Sequence, residues 1–184
     1  MFEWSARKVE WQRDSKYLQD LFNNTWENHP ITTNPYFKWC LLDNPEGPAI
    51  AFCADPKDRG DILAGVYLVI PTSLLVDSSK LKFSTSMYTF THPLYYKKGI
   101  FKKLANLTYD TCSRMGISGT IGVPNNDSLP GFTKGLEFDV IGQFELMARV
   151  ASPFRVNSKK PRIRKILREH DLRDMDFTID RRGL

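Results

Sequence analysis

Residues 88–115, YTFTHPLYYKKGIFKKLANLTYDTCSRM, constrain the fold most, because the spacing of apolar residues changes once along them. Over residues 82–90 polar residues alternate with Phe83, Met87 and other apolar positions, which predicts a strand; Pro93 ends it by withholding a ladder donor. After Gly99, the residues Ile100, Leu104, Leu107 or Thr108, Cys112 and Met115 recur at three- and four-residue steps. That spacing predicts one buried face of a helix, and Gly116 stops it.

The loop and first helical turn of this unit carry Lys97, Lys98, Lys102 and Lys103, with no acidic residue between His92 and Asp110. A helix N-terminus bears about half a positive charge and unpaired N–H groups, so lysines there are unfavourable by roughly 0.3–1 kcal/mol each. An anion bound to those N–H groups reverses the sign, and Gly99 lets the backbone approach it without a Cβ in the way. A solvated, lysine-rich helix start accounts for the same residues without a ligand.

The rest of the chain builds a sheet around this unit. Residues 1–14 alternate loosely through Phe2, Trp4, Val9 and Trp11 and are expected to form a first strand or an ordered arm. From Ser15, SKYLQDLFNNTW sets Tyr17, Leu18, Leu21, Phe22 and Trp26 on one helical face, with Asp14 or Ser15 as N-cap. Asn28, His29 and Pro30 mark a break, and a second short helix is expected over residues 35–42 before the turn DNPEGP. Residues 49–54 and 62–72 read as strands flanking the polar loop DPKDRGD, the second extended through residues 74–77 to a turn at Lys80. The lysine-rich helix then crosses to an apolar strand over residues 118–123, followed by the turn PNNDS, whose side-chain groups are free to bind, a short helix over residues 129–134 and a last strand over residues 143–150. The expected class is α/β (α+β): a mixed sheet, first an antiparallel meander, then a helix crossover to a parallel strand, with helices on both faces.

With 184 residues, 41% of them hydrophobic, the chain can bury one real core. Residues 1–150 hold 16 Lys+Arg and 16 Asp+Glu, whereas residues 151–184 hold 10 and 5, so the formal charge of +5 sits entirely in the tail. That excludes a basic, nucleic-acid-coating body and makes nucleic acid an unexpected partner. Residues 1–150 are expected to form the domain and residues 151–184 a basic tail or linker, in which Ile163, Ile166, Leu167 and Leu172 make a narrow helical stripe. The closing MDFTIDRRGL shows no companion element, and an open-ended tail suggests the start of a further C-terminal region. Cys40, Cys53 and Cys112 are odd in number and apolar in setting, as expected of reduced core cysteines; His29, His92 and His170 show no metal-ligand spacing, so no metal is expected. The N-terminus lacks a signal-peptide core and nothing approaches the ~20 apolar residues of a membrane span, which points to the cytoplasm and no membrane.

Four short motifs in order give a more specific reading: Thr89-Phe90-Thr91-His92-Pro93; Tyr96-Lys97-Lys98-Gly99-Ile100-Phe101; Gly122-Val123-Pro124-Asn125 with Ser128; and Phe132-Thr133-Lys134-Gly135. With Trp39, Asn44-Pro45 and Gly47, they make residues 17–150 resemble the GNAT superfamily of acyl-CoA-dependent N-acyltransferases, in a bacterial branch of it. The resemblance implies that acetyl-CoA is the co-substrate and a small amine the acceptor, in a protein compatible with a homodimer. It implies that Lys97, Lys98, Gly99, Ile100 and Phe101 cradle the coenzyme pyrophosphate, that the backbone of Thr89 and Thr91 pairs with the pantetheine arm like an extra strand, and that Asn125 and Ser128 face the coenzyme.

The chain also departs from that pattern. Tyr96 stands where the family usually has Arg or Gln, Lys97 where it has its first glycine, and Phe132 where a tyrosine often protonates the departing thiolate. Residues 82–90 contain no carboxylate to act as a general base; Tyr88 is the proton-transfer candidate because it lies on the strand expected to line the site. His29, in an Asn-His-Pro turn, is expected to be structural. Two further readings stay open: a catalytically silent module of this fold that binds coenzyme or a partner, and a binding protein acting through its basic tail.

Overall fold

The apolar alternation in the middle of the chain produces a sheet buried on both sides. The computed structural model describes residues 3–25, 29–58, 60–143 and 176–179. Along them run β1 (Trp4–Lys8), α1 (Trp11–Asn23), α2 (Asn34–Leu41), β2 (Ile50–Pro56), β3 (Gly65–Val76), β4 (Ser79–Thr91), α3 (Ile100–Arg114), β5 (Thr120–Gly122), β6 (Asp139–Gln143) and β7 (Asp176–Ile179). The strand order is β1-β2-β3-β4-β5-β7-β6. β1 to β4 form the antiparallel meander, α3 carries the chain across to β5, which runs parallel to β4, and β7 lies antiparallel between β5 and β6. This is the mixed sheet expected from the sequence.

The first seven residues of β3 are all buried, as a central strand covered on both faces requires. Val66, Leu68 and Ile70 face one way, where Leu18, Leu21 and Phe22 of α1 and Phe37 and Leu41 of α2 close over them. Tyr67 and Val69 face the other, against Ile100, Leu104, Ala105 and Cys112 of α3 and the aromatic rings of Phe132 and Phe138. The α3 stripe lies where its spacing put it, except that Met115, at the helix end, is exposed.

Several local expectations are corrected. The first helix begins at Trp11, not Ser15, and neither expected cap acts as one: Ser15 donates its hydroxyl back to the Trp11 carbonyl, and Asp14 is buried within the first turn. The turn before β4 is Asp77-Ser78, both residues left-handed (φ 46° and 68°), so β4 starts at Ser79 and Lys80 lies within it. The late strand is β6, over Asp139–Gln143; residues 144–150 of the expected strand, Trp26 and the helical stripe at residues 163–172 lie outside the described residues. The closing segment does have a companion, because Asp176–Ile179 forms β7, hydrogen-bonded to both β5 and β6.

A short ion network fastens β1, α1 and β2. Arg7 on β1 donates to both carboxylate oxygens of Asp14 (2.6 and 2.9 Å) and to Asp55 on β2 (3.0 Å), and Asp14 also accepts from the Glu10 N–H (2.8 Å). Burial alone favours a neutral Asp14; the bonds from Arg7 and Glu10 outweigh it and hold the carboxyl below the usual range. The Asp14 bond and, after it, that to Asp55 raise the pKa of Arg7 despite its own desolvation. Removing Arg7 would strand a charge that is 0% exposed. Arg7→Met is therefore expected to lower unfolding stability at pH 7 by about 3–5 kcal/mol in a urea titration. Because the folded pKa of Asp14 lies below its unfolded value of about 3.9, this stabilisation is present above that pH and lost as pH falls through the folded value. The stability gap between wild type and Asp14→Asn should accordingly close in acid.

Candidate functional site

β4 and β5 pair only over Ser84–Thr120, Thr85–Ile121 and Ser86–Gly122. Past that point β4 bulges: its register with β3 passes from Leu68–Met87 to Val66–Phe90, so Tyr88 and Thr89 together oppose Tyr67, and Tyr88 takes a left-handed φ of 51°. The extra residue resets the alternation. Ser86 reaches Tyr67 on the α3 side, whereas Tyr88 and Phe90 pack into the cluster under α1 and α2. Ser86 and Thr89 thus share one side of the strand and Tyr88 takes the other.

The two strands part here, and a cavity of about 1020 Å³ opens between them. Met87, Tyr88, Thr89, Phe90 and Thr91 line one wall; Val123, Pro124, Asn125 and Ser128 line the other, with the start of α3 at the mouth and Phe132 behind. All ten residues singled out from the sequence (Tyr88, Thr89, Thr91, Lys97, Lys98, Gly99, Ile100, Phe101, Asn125 and Ser128) line this one cavity. Lys102 joins them; Lys103 is not among the lining residues.

The mouth is held in place from below. Tyr95 is fully buried and donates its hydroxyl to Asp58 (2.9 Å), while His92 Nδ1 accepts from the Leu94 N–H (3.3 Å) to start the intervening turn. A Cβ on Gly65 would lie 2.9 Å from both the Phe90 carbonyl oxygen and Ile100 Cγ2, so only glycine lets α3 begin directly against β3 and β4. Lys97 (φ 60°) and Gly99 (φ 74°) are both left-handed, and Gly99 is the N-cap of α3. No side chain caps that helix and its first turn holds no acid, so its leading N–H groups are available to an anion.

Individual groups differ in what they offer. Thr89 Oγ1 is buried without a hydrogen-bond partner, a state that costs about 1–3 kcal/mol. Asn125 and Ser128 are not free, contrary to expectation: Asn125 Oδ1 accepts from the Ser128 N–H (2.9 Å) and hydroxyl (2.8 Å), and Ser128 Oγ accepts from the Asn125 N–H (3.0 Å). They shape the turn. The Tyr88 ring meets those of Phe22 and His29 at 5.8 Å each; burial and then hydrogen bonding with Tyr36 push its pKa above the usual phenol range, so the phenol stays protonated at neutral pH. His29 Nδ1 accepts from the Ile31 N–H (3.1 Å), in keeping with a structural role. Phe132 packs edge-on against Phe101 and Phe138.

Asp127 is the carboxylate among the described lining residues, and it lies on the exposed turn after β5. Burial pushes the thiols of Cys112 up to about 11 and Cys53 up to about 12, which removes both as nucleophiles at neutral pH. Among the described residues no group of three or more His, Cys, Asp or Glu could hold a metal, and no helix is long and apolar enough to cross a membrane. Sequence reasoning missed the lining residue Ser86 and its hydrogen-bond partner Tyr67. Their one visible signal is a polar or hydroxyl-bearing residue at a position where strand alternation points into the core.

No protein-family model and no curated protein sequence matches this chain. Solved structures do. A probable N-acyltransferase from Enterococcus faecalis aligns with a TM-score of 0.56 at 13% identity over 74% of this chain; this chain spans 32% of that one. The NatC complex bound to Gag peptide and CoA contains a chain that aligns with a TM-score of 0.64 at 12% identity, over 96% of both chains. A GNAT family N-acetyltransferase from Escherichia coli, in complex with CoA, aligns with a TM-score of 0.58 at 12% identity, covering 76% of this chain and 71% of that one. At such identities the likeness is one of architecture, and it agrees with the meander, crossover and parting strands described above: this chain has the fold of the GNAT superfamily of N-acetyltransferases.

Proposed function

We propose that this protein is an acetyl-CoA-dependent N-acetyltransferase that moves an acetyl group to the amine of a small acceptor by direct transfer in a ternary complex. The observation that carries the reading is the wedge between β4 and β5, where unpaired strand backbone lines the same cavity as the uncapped start of α3. A ligand with an extended, amide-bearing arm and a phosphate-rich head satisfies both ends at once.

Bound acetyl-CoA supplies an activated acetyl thioester. The N–H groups at the left-handed Lys97–Gly99 turn and the first turn of α3 take the pyrophosphate, and Lys97, Lys98 and Lys102 add a screened positive field. The backbone of Thr89 and Thr91 pairs with the pantetheine arm, and the Thr89 hydroxyl gains its missing partner. The Asn125–Ser128 turn forms the facing wall. On the acceptor side, Tyr88 works as a hydrogen-bond donor that orients the incoming group; a phenol whose pKa is raised cannot be the base that deprotonates an amine. With positioning supplying most of the rate, an amine desolvated in the cavity sheds its proton to water or to Asp127 at the rim.

Calorimetric titration with acetyl-CoA should give a dissociation constant on the order of micromolar. Gly99→Glu should weaken it by about 100-fold, since a carboxylate would occupy the anion cradle, whereas Gly99→Asn, which tolerates the left-handed region, should bind nearly as wild type. Binding unchanged in Gly99→Glu would overturn the cradle. Binding without release of thiol to any amine in a broad acceptor screen would favour the catalytically silent module instead.

Thr89→Val gives a prediction of opposite signs in two measurements. In the free protein it removes an unsatisfied hydroxyl and should leave unfolding stability unchanged or higher. In the complex it removes one hydrogen bond, so acetyl-CoA should bind roughly 5-fold more weakly, about 1 kcal/mol.

A further inference from the structure

A chain of three hydroxyl groups runs from the cavity through the core to α3. Ser86 lines the cavity at the last β4–β5 pair and donates to the Tyr67 hydroxyl at 2.9 Å. The Tyr67 hydroxyl is in turn hydrogen-bonded to that of Tyr109 on α3. Tyr67 is 0% exposed, Ser86 8%, and Tyr109 partly buried, so the chain starts at the wedge and ends on α3 at a residue that is not fully enclosed. The surroundings of Tyr67 are aromatic: Phe101 and Phe132 pack edge-on to each other, and Tyr67 meets Phe101 edge-on and Phe132 at a tilt. Ser86 lies at the last β4–β5 pair and, unlike the Thr89 hydroxyl on the same side of the strand, is hydrogen-bonded to further hydroxyl groups.

We propose that Ser86, backed by Tyr67 and Tyr109, is the proton path to the departing sulfur. The proposal rests on the acetyl-transfer reading above. As the amine nitrogen bonds to the carbonyl carbon, the carbon–sulfur bond breaks, its electron pair stays on sulfur, and the sulfur needs one proton. In turnover the Ser86–Tyr67 hydrogen bond reverses: Ser86 gives its hydroxyl proton to that sulfur and takes the phenolic proton of Tyr67, and Tyr67 takes that of Tyr109. The proton shed by the amine returns to Tyr109 through solvent, so the protein ends each turnover unchanged. A phenol and a thiol have similar intrinsic acidities, which makes the relay nearly balanced, whereas a serine without the phenol behind it would be too weak an acid. The bulge serves this directly: by turning Tyr88 to the other side it leaves Ser86 and Tyr67 together at the apex.

The test does not need the acceptor. Coenzyme A itself, carrying the free thiol, is bound to the protein, and its thiol is titrated by thiolate absorbance against a reference of protein saturated with desulfo-CoA. A donor that stabilises the thiolate lowers the bound thiol's pKa. The wild type is expected to sit about one unit below Ser86→Ala, roughly a tenfold difference in thiolate fraction. Ser86→Thr should keep most of the shift, and Tyr67→Phe should lose part of it because the serine is no longer polarised by a second donor. Thermal unfolding of each variant checks that it folds, and Ser86→Val stands in if Ser86→Ala does not. Identical pKa values in wild type, Ser86→Ala and Tyr67→Phe would overturn the proposal while leaving coenzyme binding intact. A shift in Ser86→Ala with none in Tyr67→Phe would overturn the relay as well. No binding of coenzyme A by the wild type would overturn the acetyl-transfer reading and this proposal with it.

Discussion

The parting of β4 from β5 after Ser86–Gly122 is the constraint on which the rest depends. A sheet gains by pairing every strand, and unpaired backbone at an interior position is costly, so a gap between two neighbouring strands must be forced open and held open. Two features force it. The bulge at Tyr88–Thr89 bends β4 away, and Pro124, just beyond β5, cannot donate to a continued ladder. Two features hold it: β3 pairs with β4 on either side of the bulge, and α3 is seated against the same strands through Gly65 and Ile100.

Backbone strain collects around this gap. Among the described residues, left-handed conformation at residues other than glycine occurs at Asp77, Ser78, Tyr88, Lys97 and Glu137. The first two are accounted for by a hairpin turn. Tyr88 and Lys97 both line the cavity, and no turn of that kind explains them. Each costs about 1–2 kcal/mol over an ordinary conformation. Strain of this size persists where the surroundings over-determine it, and an orphaned threonine hydroxyl lies in the same wall.

Much of this was legible in the sequence. The change of period across Gly99 fixed the strand and the helix of the crossover, and the lysines without acids marked the helix start as unusual. The α1 start was misread because Asp14 looks like a cap; its true role, closing on Arg7 and Asp55, links positions far apart in sequence and has no local signature. The bulge was illegible for a related reason: nothing in Met87-Tyr88-Thr89 differs from a regular strand, and the register is set by β3 across the ladder. Missing the bulge meant that Ser86, Tyr88 and Thr89 could not be assigned to their sides of the strand. The short strand β7 was invisible because four residues carry too little pattern to declare a partner.

The electrostatics of the α3 start follow from the same geometry. Its four lysines oppose the helix dipole, and in the free protein nothing acidic in the first turn compensates. Body charge cannot explain them, since residues 1–150 are neutral overall. An anion seated on the helix N–H groups would turn every one of these unfavourable terms into an attraction, and it would do so only at the mouth of the wedge. The bulge determines where an extended arm can lie, and the Gly99 turn determines where its charged head must end. Both lie on one chain segment, Tyr88 to Gly99, so the distance between them is set by a dozen residues that Tyr95 and His92 hold rigid. A ligand that fits one end and not the other would leave either the backbone gap or the lysines uncompensated.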